Sequence, residues 1–175
     1  MIRIETLLPR ETAPRRADAT LTLPFEMRRR SRLLLKLDDG EEAGLFIERG
    51  TVLADGDELR ASDGRVVRVL AAREDVYRVS PTPDCSLARA AFHLGSRHIP
   101  VQLSDGFLRI ERDAVLRTML IGIGAQVIDE IAAFQPEPGA YGGGHRHGHD
   151  EGFAEEQELA RSVFTLRHGG GSSPR

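Results

Sequence analysis

The chain has 175 residues, of which 40% are hydrophobic and 29% charged, a length and composition that suit one medium or two small globular domains and exclude a fibrous or wholly disordered chain. Its formal net charge of −3 gives no electrostatic reason to expect nucleic acid or an anionic membrane as partner. With 7 Phe, 2 Tyr and no Trp, the cores must be built from Leu, Val, Ile and Ala, and the single Cys85 cannot close an intramolecular disulfide, which suits a reducing compartment.

Residues 1–5 carry no charged-then-apolar targeting pattern, and the longest strongly apolar stretch, 119–123, is far too short to span a bilayer, so a cytoplasmic, membrane-free protein is expected. Asp-Gly pairs at Asp39-Gly40, Asp55-Gly56, Asp63-Gly64 and Asp105-Gly106 punctuate the chain, and between apolar runs such pairs signal tight hairpins. Strands are expected at 21–23, 32–37, 44–48 and 65–70, with no helical period before Pro81. Residues 1–73 therefore read as a small all-β domain. Arg28, Arg29, Arg30 and Arg32 form a basic run, expected as a solvated rim, the other reading being a docking patch.

The pattern then changes. Residues 75–80 alternate as a strand, and Pro81 and Pro83 break the chain. Asp84 is placed to cap a helix running to about Leu94, with Leu87, Ala88, Ala91 and Leu94 on one face and Gly95 as its left-handed terminator. A strand at 99–103, a turn at Asp105-Gly106 and a strand at 107–111 follow. Asp113 caps a second helix carrying Val115, Leu116, Met119 and Leu120, which Gly122 and Gly124 end before a last strand at 125–132. The order β-α-β-β-α-β is the ferredoxin-like split βαβ arrangement, assigned to 74–135. The fold class is α+β, with residues 136–175 as a flexible, glycine- and histidine-containing tail in which 155–166 offers a weak amphipathic helix and 169–175 is expected to be disordered.

Catalysis has little support. There is no Gly-x-Ser-x-Gly, phosphate loop, His-Glu-x-x-His or Cys-x-x-Cys, and Cys85 reads as a small buried residue. Metal binding has more. His145, His147 and His149 alternate on a glycine-rich stretch, and imidazole is a favoured ligand of nickel, copper and zinc. Imidazole binds only when neutral, so capture should weaken as pH falls through about 6.5. His98, between the first helix and the next strand, reads by itself as structural; so does His93, and His168 is unassigned. An RNA-binding sheet is disfavoured because the chain lacks a basic balance and paired strand aromatics.

Three ordered motifs resemble the UreE family of urease accessory metallochaperones. They are Leu37-Asp38-Asp39-Gly40-Glu41-Glu42-Ala43-Gly44-Leu45 with Glu48-Arg49-Gly50 and Leu53-Ala54-Asp55-Gly56-Asp57; His93-Leu94-Gly95-Ser96-Arg97-His98-Ile99-Pro100-Val101-Gln102; and Pro136-Glu137-Pro138-Gly139-Ala140-Tyr141-Gly142 followed by histidines. The second motif departs from the family pattern at Ser96, where Asn is usual. The resemblance implies a non-enzymatic carrier that delivers nickel(II) to urease, with an N-terminal peptide- or urease-binding type of domain. It also implies a head-to-head homodimer through the second domain. His98 of each copy would then meet at the two-fold axis and share one ion, with His145, His147 and His149 as further ligands. Zinc or copper could occupy the same site. The implied partners are urease apoprotein and its accessory proteins, including the GTPase UreG. The rival reading is a peptide-binding co-chaperone adaptor with incidental metal sequestration. Where some members carry extra histidines, this chain has Glu111, Arg112, Asp113 and Ala114, so those further sites are not expected.

Overall fold

The computed structural model describes residues 2–10 and 16–138. The predicted tail elements at 155–166 and 169–175, with His145, His147, His149 and His168, lie outside the described residues. The first 71 residues build a six-stranded sheet from β1 (Ile2–Leu7), β2 (Ala19–Leu23), β3 (Arg32–Lys36), β4 (Glu42–Phe46), β5 (Glu58–Ala61) and β6 (Val66–Ala71), in the order β2-β6-β5-β1-β4-β3. β1 runs parallel to β4 and β2 parallel to β6; the other pairs are antiparallel. Its core of Ile4, Leu21, Leu45, Leu53, Leu59, Val67 and Val69 is fully buried and aliphatic, as an aromatic-poor sequence requires.

Two strands escape the sequence reading. β1 lies ahead of the first hairpin signal. β5 begins with the buried Glu58, whose inward charge is held by Arg68 at 2.9 Å and so breaks the apolar alternation expected of a strand. The all-β expectation also needs one correction, a four-residue helix α1 (Phe25–Arg28) entered from Pro24. It has no amphipathic period to announce it. It is held by tertiary contacts, Phe25 packing edge-on against Phe134 at 5.3 Å between ring centroids.

The second sheet has the order β10-β7-β9-β8, all neighbours antiparallel, from β7 (Arg73–Ser80), β8 (Gln102–Ser104), β9 (Phe107–Glu111) and β10 (Gln126–Ala133). Helices α2 (Leu87–Gly95) and α3 (Ala114–Gly122) cover one face, closing a core of Tyr77, Val79, Ala90, Leu94, Leu108, Ile110, Leu120 and Val127 together with Cys85. This is the ferredoxin-like order expected. Asp113 caps α3 as predicted, accepting from the Leu116 amide at 2.8 Å. For α2 the cap is Ser86, which accepts from the Arg89 amide at 3.2 Å, and not Asp84, which precedes it by two residues. Ala88 and Val115 were expected on the apolar faces, but both are exposed, because the inward positions on these short helices are filled by Ala90, Leu94, Leu116 and Leu120. The strand expected at 99–103 is confined to β8, since residues 99–101 form the connection out of α2.

Arg28 is the largest departure. It was expected on a solvated rim, yet it is fully buried. Its guanidinium donates from Nε to the Leu23 carbonyl at 3.2 Å, from Nη1 to the Leu53 carbonyl at 3.0 Å and to Gln135 Oε1 at 2.8 Å, and from Nη2 to the Phe134 carbonyl. Burial lowers its pKa, opposed by Glu74, Asp55 and Asp57. A buried guanidinium is tolerated only when its donors are satisfied, and the carbonyls here come from both sheets' chain segments.

Candidate metal centre

α2 directs Ala90 and Leu94 into the core and leaves Phe92, 70% exposed, pointing away from the sheet. His93, half-buried in the last turn, packs its ring edge-on to Phe92 at 5.5 Å. The His93 carbonyl accepts from Ser96 Oγ at 3.1 Å and Arg97 Nη1 at 3.0 Å, which secures the exposed helix end.

The chain leaves α2 through a left-handed turn at His98, φ 55°, the one non-glycine residue with positive φ among the described residues. The His98 amide donates to the Gly95 carbonyl at 2.9 Å and the Ile99 amide to the Leu94 carbonyl at 3.2 Å. Those two bonds are a Schellman closure with His98 in the position usually held by Gly. Leu94 and Ile99, the residues that bracket it, pack together in the core. The predicted terminator, Gly95, stays in the helix. A left-handed non-glycine residue costs about 1–2 kcal/mol, so the apolar bracket holds His98 in a conformation its own backbone disfavours.

The His98 side chain is exposed, and no hydrogen bond or ion pair engages its ring among the described residues. No group of three or more His, Cys, Asp or Glu side chains within these residues could hold a metal ion. His98 thus presents an imidazole that no described side chain engages.

Residues 134–137 run close to this region. After β10 the Phe134 ring is fully buried beside Phe25 and Val76. The Gln135 amide donates to Gln102 Oε1 at 2.8 Å, and Gln135 Oε1 accepts from Arg28 and from the Asp55 amide at 3.1 Å. The Glu137 amide then donates to the Val101 carbonyl at 2.9 Å, three residues beyond His98. Sequence reasoning missed Arg28, Gln102 and Gln135. A lone Arg in a basic run and two glutamines carry no local signal of such a junction.

A separate cleft of about 500 Å³ opens beside Asp55, Arg73, Gln102, Arg109, Glu130 and Gln135. Arg109 holds Glu130 through two bonds, at 2.9 and 3.0 Å, and this keeps the Glu130 carboxyl below its ordinary range. His98 does not line it.

Comparison with known proteins places both halves of the chain. The family model "UreE urease accessory protein, N-terminal domain" matches residues 4–72, and "UreE urease accessory protein, C-terminal domain" matches residues 74–162. The chain is 53% identical over 150 residues to the urease accessory protein UreE of Burkholderia lata, covering 86% of this chain and 72% of that protein. It is 53% identical to that of Burkholderia vietnamiensis, covering 86% and 75%, and 55% identical to that of Paraburkholderia xenovorans, covering 86% and 67%.

Proposed function

The chain belongs to the UreE family of urease accessory proteins, and on that premise we propose that it is a carrier of nickel(II) for urease maturation, with His98 as the ligand on its folded body. The observation that carries this reading is His98 itself: an exposed imidazole with no partner among the described residues, held in a left-handed conformation that a glycine would adopt at lower cost. Strain retained at an exposed position calls for a functional reason.

One imidazole is a weak site, so the carrier works as a homodimer through residues 74–135. A two-fold axis sets the same residue of each copy beside its mate, turning one histidine per chain into two ligands. Phe92 and Val115, 70% and 76% exposed on the helical side of the sheet, supply apolar surface for such a contact. His145, His147 and His149 add donors that can dissociate one at a time, which lets a recipient's ligands take over the ion. Zinc or copper enters the same site, copper(II) at least as tightly as nickel by the Irving–Williams order. Residues 1–73 form the domain that meets urease apoprotein and its accessory proteins, including the GTPase UreG. The protein works in the cytoplasm and catalyses no reaction of its own. No helix among the described residues is long and apolar enough to cross a membrane.

Calorimetric titration with nickel tests the reading. His98→Ala should abolish the tight site, while replacing His145, His147 and His149 by Ala should lower affinity or stoichiometry and leave nickel bound. Undiminished tight binding by His98→Ala overturns the assignment.

A further inference from the structure

We infer that β3 is a docking edge for an extended segment of a partner protein in which acidic residues flank an apolar one. The inference deepens the reading of residues 1–73 as the domain that meets the urease machinery, and rests on it. β3 ends the six-stranded sheet and pairs with β4 on one side. The Leu37 amide donates to the Glu41 carbonyl and the Ile47 amide to the Ser31 carbonyl, both at 2.9 Å, which fixes the phase of that ladder. Bonded and non-bonded pairs alternate along an antiparallel ladder. Leu33 and Leu35 therefore direct their backbone groups to β4, while Arg32, Leu34 and Lys36 aim theirs outward. None of those outward amides and carbonyls has a partner among the described residues. The chain is tied to β2, the opposite edge, just past the end of β3, where the Asp38 amide donates to the Thr20 carbonyl at 3.0 Å.

Side chains alternate between the two faces of a strand, so Arg32, Leu34 and Lys36 also share the outer face, while Leu33 and Leu35 pack on the first core. Leu34 is 72% exposed. It stands between two cations, each about 7 Å away along the strand. Neither Arg32 nor Lys36 has an ion pair among the described residues, although Glu42 lies across the ladder from Lys36. Directly opposite Leu34 is Gly44, and Phe46 uses the space that residue leaves: a Cβ on Gly44 would stand 2.6 Å from Phe46 Cε2. The ring thus lies back along its own strand, with the Arg3 guanidinium 4.8 Å from its centroid. The missing side chain at Gly44 extends the apolar surface from Leu34 onto an aromatic ring.

The charges decide what can cover this edge. A second copy, paired two-fold and antiparallel about Leu34, would set Arg32 against Lys36 twice, with like charges directly opposite. Charged residues so placed keep an edge from pairing with its own kind. A strand with carboxylates at those two places and an apolar residue between them meets no such repulsion. It gains two ion pairs, an apolar contact with Leu34 and Phe46, and a row of backbone bonds along the outward groups of β3. The occupant is therefore a stretch of a partner protein that reads acidic, apolar, acidic at alternate residues.

The test uses the full chain and an end-capped heptapeptide with glutamate at its second and sixth positions, valine at the three between, and threonine at the ends. The peptide should bind in calorimetric titration and slow hydrogen exchange at the amides of Arg32, Leu34 and Lys36, with Leu33 and Leu35, already bonded to β4, little changed. Leu34→Asp should weaken binding about tenfold or more, with the unfolding transition still cooperative. Replacing Arg32 and Lys36 by Ala should weaken it and flatten its salt dependence. A peptide with lysine in place of both glutamates should not bind. Equal binding of the lysine peptide, binding that leaves the three outward amides unprotected, or no binding of the glutamate peptide at millimolar concentration overturns the docking edge. Assembly beyond a dimer that Leu34→Asp abolishes would make a second copy the occupant and overturn it too. Should the peptide bind as stated while urease apoprotein binds the Leu34→Asp chain as tightly as the parent, the edge stands and the reading of residues 1–73 as the urease-facing domain falls.

Discussion

The amide of His98 donates to the carbonyl of Gly95 at 2.9 Å, so the histidine occupies the left-handed position and the glycine remains inside the helix. The helix end is thereby turned outward with an imidazole at its tip. The stability this arrangement forgoes is measurable.

His98→Gly should make the protein more stable, by about 1 kcal/mol, while removing the proposed metal ligand. In a chain of this size that corresponds to a rise in Tm of about 2–4 °C. His98→Ala keeps a Cβ in the left-handed region and should lose nickel without the gain. Differential scanning calorimetry with nickel titration on both variants separates strain relief from ligand loss; a less stable His98→Gly would show that the turn is not strained.

Arg28 should be among the most costly residues to replace. Arg28→Ala leaves the carbonyls of Leu23, Leu53 and Phe134 buried without their donor, and a loss of about 3–5 kcal/mol is expected. Arg28→Lys keeps the charge but cannot aim donors in the directions the guanidinium serves, so it should recover only part of the loss. Urea unfolding midpoints decide this. A lysine variant as stable as the parent would remove the fork geometry from the account.

Glu111 should make stability depend on pH. Burial raises the pKa of its carboxyl, and the neighbouring Glu74 and Glu26 raise it further, against an opposing pull from Arg29. The folded state thus binds this proton more tightly than the unfolded chain. The penalty is absent below the ordinary carboxylate range, grows as pH rises through it, and is complete above the raised folded value. Glu111→Gln should therefore raise Tm at pH 7, with the gain shrinking towards pH 4. A gain independent of pH would mean that the carboxyl charge is not its source.

Much of the fold was legible because it rests on local chemistry. Asp-Gly turns mark hairpins through the positive φ that Gly accepts, as at Gly40, Gly64 and Gly106, and the alternation of apolar residues marks β7 and β9. The β-α-β-β-α-β order followed from these signals; alternation on a glycine-rich stretch drew attention to His145, His147 and His149, and motif resemblance to His98. The last three lie outside the described residues. The elements that escaped lacked such signals. α1 is too short to show a period, and β5 hides behind the inward charge of Glu58.

By itself the sequence determined the two sheet types, the covering helices, the family and the presence of a histidine in the loop after α2, because periodicity, turn chemistry and motif spacing are properties of neighbours along the chain. Only the tertiary structure decided that Arg28 is buried, that His98 and not Gly95 takes the left-handed position, and that residues 134–137 cross to the His98 side of the sheet. Each of those outcomes depends on partners far apart in sequence: Arg28 with Phe134 and Gln135, Gln102 with Gln135, Val101 with Glu137. A buried donor must find an acceptor wherever the folded chain supplies one, and no local pattern records where that will be.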